Sequence, residues 1–483
     1  MTFALHHTTI VSMPPAPFRP SGERVRPLST LLGFASVPFR LAAPHPSTIQ
    51  RGWPGIAAPP RNAAQPVYRF SSMQDLARRI ALNGAAEEPD ADAAKILHSL
   101  GPAYARLFVI TRRPAELIVP TAFRSRVQEM FAAYPGGTAR LDFVESQTIV
   151  ATYNRMTEEY SLFNDVRRYR PGYMEKLSQE EEAQWHRELM RNAGPDTCDF
   201  CSESRTAEDV FGRVYGKHCY TASNIAKYER WHSLIISREH HPLNHTSAQW
   251  RDYISTAHAW AAKVHERDPT ARFPHLMFDA GWRASASQPH MHIQMAMTAN
   301  RYFTRAEHTR LAAVDYFEGH YAAGPDGEPA EKGHSYWADV VNAHEALGLA
   351  LRFNRSAVLS YITPIKEREL VILTEDSTSP CFGALLAAAL TALTDGVGTR
   401  SMSMGITLEP YGHPITRRGR RSSAVPYPAI ARVVDRGSPM DRRNDVGAME
   451  FYGANNVGAD PFHIMPHLIK HVKMLFVDAP TVD

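Results

Sequence analysis

The chain has 483 residues, 44% apolar and 21% charged, a composition of ordinary globular protein. Lysine plus arginine outnumber aspartate plus glutamate by only 53 to 50, so the formal charge of +3 supplies no field of the kind nucleic acid requires. No apolar run reaches the length of a membrane span, and four cysteines over this length make no disulfide framework, which favours a reducing compartment.

Residues 1–70 carry Arg19, Arg24, Arg26, Arg40, Arg51, Arg61 and Arg69 against the single acid Glu23, with dense prolines and no periodicity. Such a segment is a disordered tail or an organelle transit peptide, so the expected location is cytoplasmic, or mitochondrial or plastid if it is the latter. Residues 71–141 read as an N-terminal extension of unassigned role. A helix runs over Ser72–Leu82 and stops at Asn83-Gly84, before the acidic loop Glu87-Glu88-Pro89-Asp90. Ala105–Thr111 and Ala115–Pro120 read as two buried strands. Phe123–Tyr134 reads as a helix ended by Pro135-Gly136-Gly137.

Residues 142–330 form a first unit. Phe143–Tyr153 and Glu159–Phe163 predict a strand pair, leading into Arg167-Arg168-Tyr169-Arg170-Pro171. A helix over Ser178–Arg191 opens with a capping box, Ser178 and Glu181. Cys198-x-x-Cys201 follows, then a strand at His232–Arg238. Thr246 or Ser247 caps an amphipathic helix whose Trp250, Tyr253, Ile254, Ala257, Trp260, Ala261 and Val264 share one face. Pro289–Met297 is the last strand of the unit. Residues 331–483 form a second unit, with a helix at Trp337–Leu347, strands at Ala357–Thr363 and Arg368–Thr374, a helix at Pro380–Leu393 and a strand at Met402–Glu409. Arg417–Arg421 reads as a solvated basic turn. The order strand, strand, long helix, strand recurs in both units, which predicts a duplicated α+β fold.

Chemistry concentrates in one strand. Successive side chains of a strand alternate faces, so His290, His292 and Gln294 share one face while Met291, Ile293, Met295 and Met297 share the core face. Zinc takes four Cys and His ligands in a tetrahedron, and Cys198, Cys201, His240 and His290 supply such a set, with His241 able to stand in for His240.

In their order these residues resemble the galactose-1-phosphate uridylyltransferase branch of the histidine triad superfamily, most densely between Tyr160 and Asn300. Arg167-Arg168-Tyr169-Arg170-Pro171 resembles the early Arg-x-x-Arg-Pro segment. Ser237-Arg238-Glu239-His240 is similar to the strand end that gives a third zinc ligand. Ser287-Gln288-Pro289-His290-Met291-His292-Ile293-Gln294 resembles the signature Ser-x-x-His-x-His-x-Gln. The resemblance implies two histidine-triad-like units, a structural zinc, a homodimer, and a nucleotide sugar and sugar phosphate as ligands. It makes His292 the nucleophile and Gln294 its amide partner, assigns Arg167, Arg170 and Ser287 to phosphates, and puts Asn224 in the nucleotide site. Gly447-Ala448-Met449-Glu450, followed by Gly453, resembles a late segment near the sugar-phosphate pocket, which places Glu450 there. Three positions depart from the pattern: Met291 for proline, Ile293 for a small residue, and Asp279 for an asparagine that would meet the nucleotide. A second metal site found in some relatives has no clear counterpart.

A neutral imidazole attacks phosphorus when its other nitrogen is held by a hydrogen bond. A departing sugar phosphate is a stable anion and needs no strong acid, so the neutral Gln294 favours transfer over hydrolysis. The expected activity is nucleotidyl transfer between a nucleoside diphosphate sugar and a sugar 1-phosphate through a nucleotidyl-histidine. The alternatives are phosphorolysis of a nucleoside diphosphate sugar or dinucleotide, and a zinc-stabilised nucleotide-binding scaffold without catalysis.

Overall fold

The computed structural model describes residues 70–80, 91–134, 140–170, 177–321, 332–353, 355–411, 427–441 and 446–477. The tail 1–69, the Asn83-Gly84 stop, the acidic loop at 87–90, Pro135-Gly136-Gly137, Pro171 and the basic turn 417–421 lie outside the described residues.

Helix α1 (Met73–Ile80) and helix α2 (Ala91–Leu107) precede strand β1 (Phe108–Glu116). The two strands expected on either side of Arg112-Arg113-Pro114 are therefore one. Ala105–Leu107 still belongs to α2, and residues 117–120 have left the ladder. The reason is the partner strand. After α3 (Arg124–Met130) and α4 (Arg140–Glu145), strand β2 (Ser146–Asn154) pairs with β1 without a break from Phe108↔Asn154 to Glu116↔Ser146. Pro114 is tolerated because β1 is an edge strand, where a missing N–H breaks no second ladder.

Strand β3 (Tyr160–Phe163), short helix α5 (Asp165–Arg168) and helix α6 (Gln179–Met190) follow. The Ser178–Glu181 capping box of α6 is present in both directions. Then come β4 (Cys219–Ser223), β5 (Trp231–Ser237), α7 (Ser247–Arg267), β6 (Phe273–Ala280), β7 (His292–Thr298), α8 (Thr304–Phe317) and α9 (Tyr336–Leu347). The chain continues through β8 (Ala350–Phe353), β9 (Ser356–Ser360), β10 (Leu370–Thr374), α10 (Pro380–Thr391), β11 (Met402–Thr407) and β12 (Ala429–Asp435). It closes with α11 (Ala448–Phe451), β13 (Ala454–Val457) and α12 (Met465–Val477). No described helix is long and apolar enough to cross a membrane.

Among the described residues the main sheet has nine strands in the order β4-β5-β7-β6-β11-β12-β10-β9-β8. The doubling expected from the sequence is visible in that order. The segment β4-β5-α7-β6-β7 lays its strands down as β4-β5-β7-β6, and β9-β10-α10-β11-β12 lays them down as β9-β10-β12-β11. The halves join edge to edge where β6 and β11 pair antiparallel, from Met402↔Ala280 to Thr407↔His275. The fold is α+β.

Thr246 caps α7 by accepting the Gln249 amide at 3.2 Å, and the apolar stripe from Trp250 to Val264 is buried as its spacing predicts. Helices α7 and α10 pack on each other, and a Cβ at Gly383 would lie 2.7 Å from the Arg251 amide nitrogen, so only glycine permits this approach. Tyr253 of α7 meets Ser237 (2.8 Å) and Trp250 meets Phe278 (centroids 5.7 Å), which puts the helices on the face that carries Ile293, Met295 and Met297.

The opposite face is covered beyond β11 by α9 and by a second sheet, ordered β1-β2-β3-β13. Thr152 and Ser161 of that sheet donate to the carbonyls of Ile362 (2.9 Å) and Pro364 (2.7 Å). Glu159 accepts from Tyr361 and pairs with Arg432. Strand β13 enters parallel to β3, so the C-terminal segment completes a sheet begun before residue 164.

Candidate active site and metal centre

The end of β5 and the start of β7 are zipped by Ser237 N to Met291 O (3.1 Å) and Met291 N to His240 O (2.8 Å). This brings His240 and His290 side by side, with ring centroids 4.7 Å apart. Cys198 and Cys201 reach them from a single 3-10 turn. Cys201 Sγ lies 3.3 Å from His240 Nδ1 and 3.4 Å from His290 Nδ1, and Cys198 Sγ lies 3.5 Å from His290 Nδ1. A tetrahedral zinc with ordinary bond lengths separates sulfur from nitrogen by about 3.6 Å. The four ligand atoms all lie within 4.8 Å of one another.

The outer nitrogens settle the tautomers. His290 Nε2 is 2.7 Å from the Ser237 carbonyl and His240 Nε2 is 3.2 Å from the Leu189 carbonyl. A carbonyl only accepts, so both Nε2 atoms carry the proton and both Nδ1 lone pairs face the sulfurs, the arrangement a metal ligand needs. Burial holds His290 down to about 4, keeping the ring neutral. Burial also pushes the Cys201 thiol up, so two ionised sulfurs here require a cation between them. The donor set fits zinc.

His241 is not part of this cluster. It stacks on His186 (centroids 5.0 Å), and its Nδ1 accepts the Leu243 amide at 3.2 Å. Neighbouring residues of the turn point opposite ways, which decides between the two histidines.

Two residues along β7 from His290, His292 projects half-buried from the face away from α7. Its Nδ1 lies 2.8 Å from the carbonyl of His290 and must donate to it, leaving the Nε2 lone pair free. Burial lowers the pKa of His292, while that hydrogen bond and the nearby Asp279 oppose the shift. The Phe200 ring, from the cysteine turn, packs 5.2 Å from the imidazole.

Gln294 shares the face and places Oε1 3.2 Å from His232 Nε2. His232 Nδ1 accepts the Tyr228 amide at 3.4 Å, so its Nε2–H donates to Gln294 and fixes that amide with its NH2 outward. Asn224, whose Oδ1 accepts the Ala226 amide, sets its Nδ2 3.1 Å from the same His232 nitrogen, which cannot accept from it while it carries the proton directed to Gln294. Tyr228 packs against His232 with ring centroids 3.8 Å apart and planes tilted by 41°, and it donates to Met277 Sδ at 3.2 Å, arching over the row that holds Gln294. On the other side, Asp279 of β6 accepts from Ser403 Oγ (2.6 Å), which in turn accepts from Arg436 (2.8 Å). Burial raises the Asp279 carboxyl above its usual range.

No protein-family model matches the chain, and no curated protein matches it in sequence. Solved structures align with it in backbone. An ADP-glucose phosphorylase from Arabidopsis thaliana with bound ADP-glucose aligns at 14% identity and TM-score 0.45, over 66% of this chain and 97% of that one. A GalT-like protein from Arabidopsis thaliana aligns at 14% identity and TM-score 0.41, over 56% and 91%. Yeast Ap4A phosphorylase aligns at 12% identity and TM-score 0.29, over 73% and 97%. Identity and TM-score are low in all three, so the chemistry rests on the geometry of the site.

Of the remaining residues singled out in the sequence, Arg167 is half-buried on α5 and Arg170 is exposed just after it. The charge of Arg168, between them, is felt by Asp460 and His463 at the foot of α12. Ser287 is exposed in the bend before His290. Glu450 pairs with Lys366 and accepts the Gly447 amide at 2.8 Å, capping α11, and both contacts hold its carboxyl below the usual range against the effect of burial. His232, Tyr228, Phe200 and Ser403 reach the site without having been singled out. His232 carried one signal, a lone imidazole in the apolar run of β5, in step with Leu234, which pairs with Gln294.

Proposed function

We propose that the chain is a nucleotidyltransferase that works through a nucleotidyl-His292 intermediate, with a nucleoside diphosphate sugar as donor and a sugar 1-phosphate as acceptor. The observation that carries this reading is the paired hydrogen-bond arrangement on β7: His292 Nδ1 committed to the His290 carbonyl, and Gln294 Oε1 committed to His232. A histidine so held presents a lone pair at Nε2, and an amide so held presents two N–H donors beside it.

In the first step Nε2 attacks the α-phosphorus and the bond to the departing sugar phosphate breaks, its electron pair leaving with that anion. The positive charge that develops on the ring is stabilised by the carbonyl at Nδ1–H. Gln294 donates to a phosphoryl oxygen as its charge rises. In the second step a phosphate oxygen of the acceptor attacks the same phosphorus and the P–N bond breaks, restoring neutral His292. Zinc, where bound, supplies a cross-link that holds the start of β7 in place. On the sequence resemblance, Arg167, Arg170 and Ser287 are assigned to phosphates, Asn224 to the nucleotide and Glu450 to the sugar end. Asp279 sits where an anionic donor must approach, which makes it the residue that tunes donor affinity.

The test is initial-velocity kinetics with UDP-, ADP- and GDP-sugars against hexose 1-phosphates, with inorganic phosphate as the competing acceptor. A double-displacement enzyme gives parallel double-reciprocal lines. Intersecting lines, or turnover by His292→Ala, would count against the intermediate, and turnover with phosphate alone would make the enzyme a phosphorylase.

A further inference from the structure

A cavity of about 320 Å³ opens on the same sheet face as His292 and Gln294, between β6, β11, β12 and β10 on one side and the start of α8 with α9 on the other. One lateral row connects it to the catalytic strand. Gln294 pairs with Met277, Met277 with Gly405, and Gly405 with Arg432. At the usual strand spacing Gly405 lies about 10 Å from Gln294, the scale of a nucleotide.

Gly405 is the unusual member of this row. It has no left-handed backbone, it is exposed while its strand neighbours Met404 and Ile406 are buried, and a Cβ built on it meets nothing within 4 Å. Neither conformation nor packing requires glycine there. What its lack of a side chain provides is bare peptide on the cavity floor, where another flat surface can lie close.

The walls select the class of occupant. Phe303, Trp337, Ile430 and Val434 are apolar. The polar groups that face them already have partners. Ser403 donates to Asp279, Tyr361 to Glu159, and His275 Nε2 accepts the Phe303 amide at 3.2 Å. Arg432 is paired with Glu159 and bidentate to Glu369, at 2.6 and 3.1 Å. A hexose would find few hydroxyl partners here, and the one loosely held cation is Arg305 at the start of α8, 3.7 Å from the Glu159 carboxylate that Arg432 already engages, whereas a cavity of this size suits a small organic ring.

We infer that this cavity is a subsite for a flat, uncharged ring of the substrate, lying over the Gly405 peptide while the phosphates remain at His292. Its placement rests on the transferase reading above. The ring is either the donor's own nucleobase or a second ring in the departing group, as in a dinucleotide.

The experiment uses the full zinc-loaded chain and its Gly405→Leu variant. Equilibrium dialysis measures binding of 2-naphthyl phosphate, of nucleoside monophosphates and of dinucleoside polyphosphates, and intact mass follows adduct formation. The wild type should bind 2-naphthyl phosphate, and the leucine side chain should weaken it about tenfold or more with an unchanged melting temperature. Weaker monophosphate binding in the variant assigns the donor's own base to the cavity. A loss confined to dinucleotides assigns the second ring. No binding of 2-naphthyl phosphate, or equal affinities of all three ligands for both proteins, would overturn the subsite. Should Gly405→Leu fail to fold, Gly405→Ala and competition of nucleotide against 2-naphthyl phosphate in the wild type decide the same question. Absence of adduct from every donor would overturn the transferase reading, while the dialysis would still decide the cavity.

Discussion

Replacing His232 by leucine removes the donor that holds Gln294, a bond of 3.2 Å between Nε2 and Oε1. Without it the carboxamide can present its oxygen instead of its NH2 to a phosphoryl oxygen. A neutral hydrogen bond contributes about 0.5–1.5 kcal/mol net, and as a barrier change that is about 2- to 12-fold in rate. The expected loss for His232→Leu is therefore a several-fold slower formation of the His292 adduct, read in single turnovers by quenched-flow mass analysis. His232→Gln keeps an N–H donor near the same place and should recover part of the rate. A structural role alone would lower the melting temperature without separating the two variants. If leucine and glutamine gave the same rate with intact zinc content, or leucine had no effect, His232 would not position Gln294.

Cys198→Ser and His290→Ala should lose the metal and lower the melting temperature by on the order of 10 °C, whereas His292→Ala should keep both. Equal zinc content and equal melting across the three would reverse the assignment of ligand and nucleophile. Acid should destabilise the fold in a defined window, because His344 donates to Val340 O (2.7 Å) and accepts the Ile362 amide (3.1 Å), and burial holds it down to about 4. The unfolded chain binds its proton first, so the contribution of His344 is complete above pH ~6.5 and is lost as pH falls toward 4, at about 1.4 kcal/mol per unit. Urea unfolding at pH 7.5 and 4.5 measures this, and a slope unchanged in His344→Gln would refute it. Asp279→Asn removes an anion beside His292 while an amide oxygen can still accept from Ser403. The donor KM should fall about fivefold, and a KM unchanged over a salt series would show that Asp279 does not meet the donor.

Local patterning made the chemistry legible. Alternation in β7 separated His292 and Gln294 from Ile293, Met295 and Met297, and the stripe of α7 named the layer that covers the latter. The capping residues Ser178 and Thr246 start their helices where predicted. What stayed hidden depends on residues far apart in the chain. Strand β6 begins Phe273-Pro274 and turns His275, Met277 and Asp279 toward the site face, so it shows little periodicity of its own, yet it joins the two halves. Strand β13 pairs with β3 across some 295 residues, through register that no local window contains. Ser403 reaches Asp279 only because β11 lies beside β6. His240 and His241 are chemically alike, and only the direction of the turn after β5 tells which faces the cysteines.

The most direct measurement is the intact mass of the protein after brief exposure to UDP-, ADP- and GDP-sugars without acceptor. The account predicts an added nucleoside monophosphate on the wild type, acid-labile as a phosphoramidate, and none on His292→Ala. Unmodified mass with every donor, in folded and zinc-loaded protein, or an adduct that persists in His292→Ala, would contradict it.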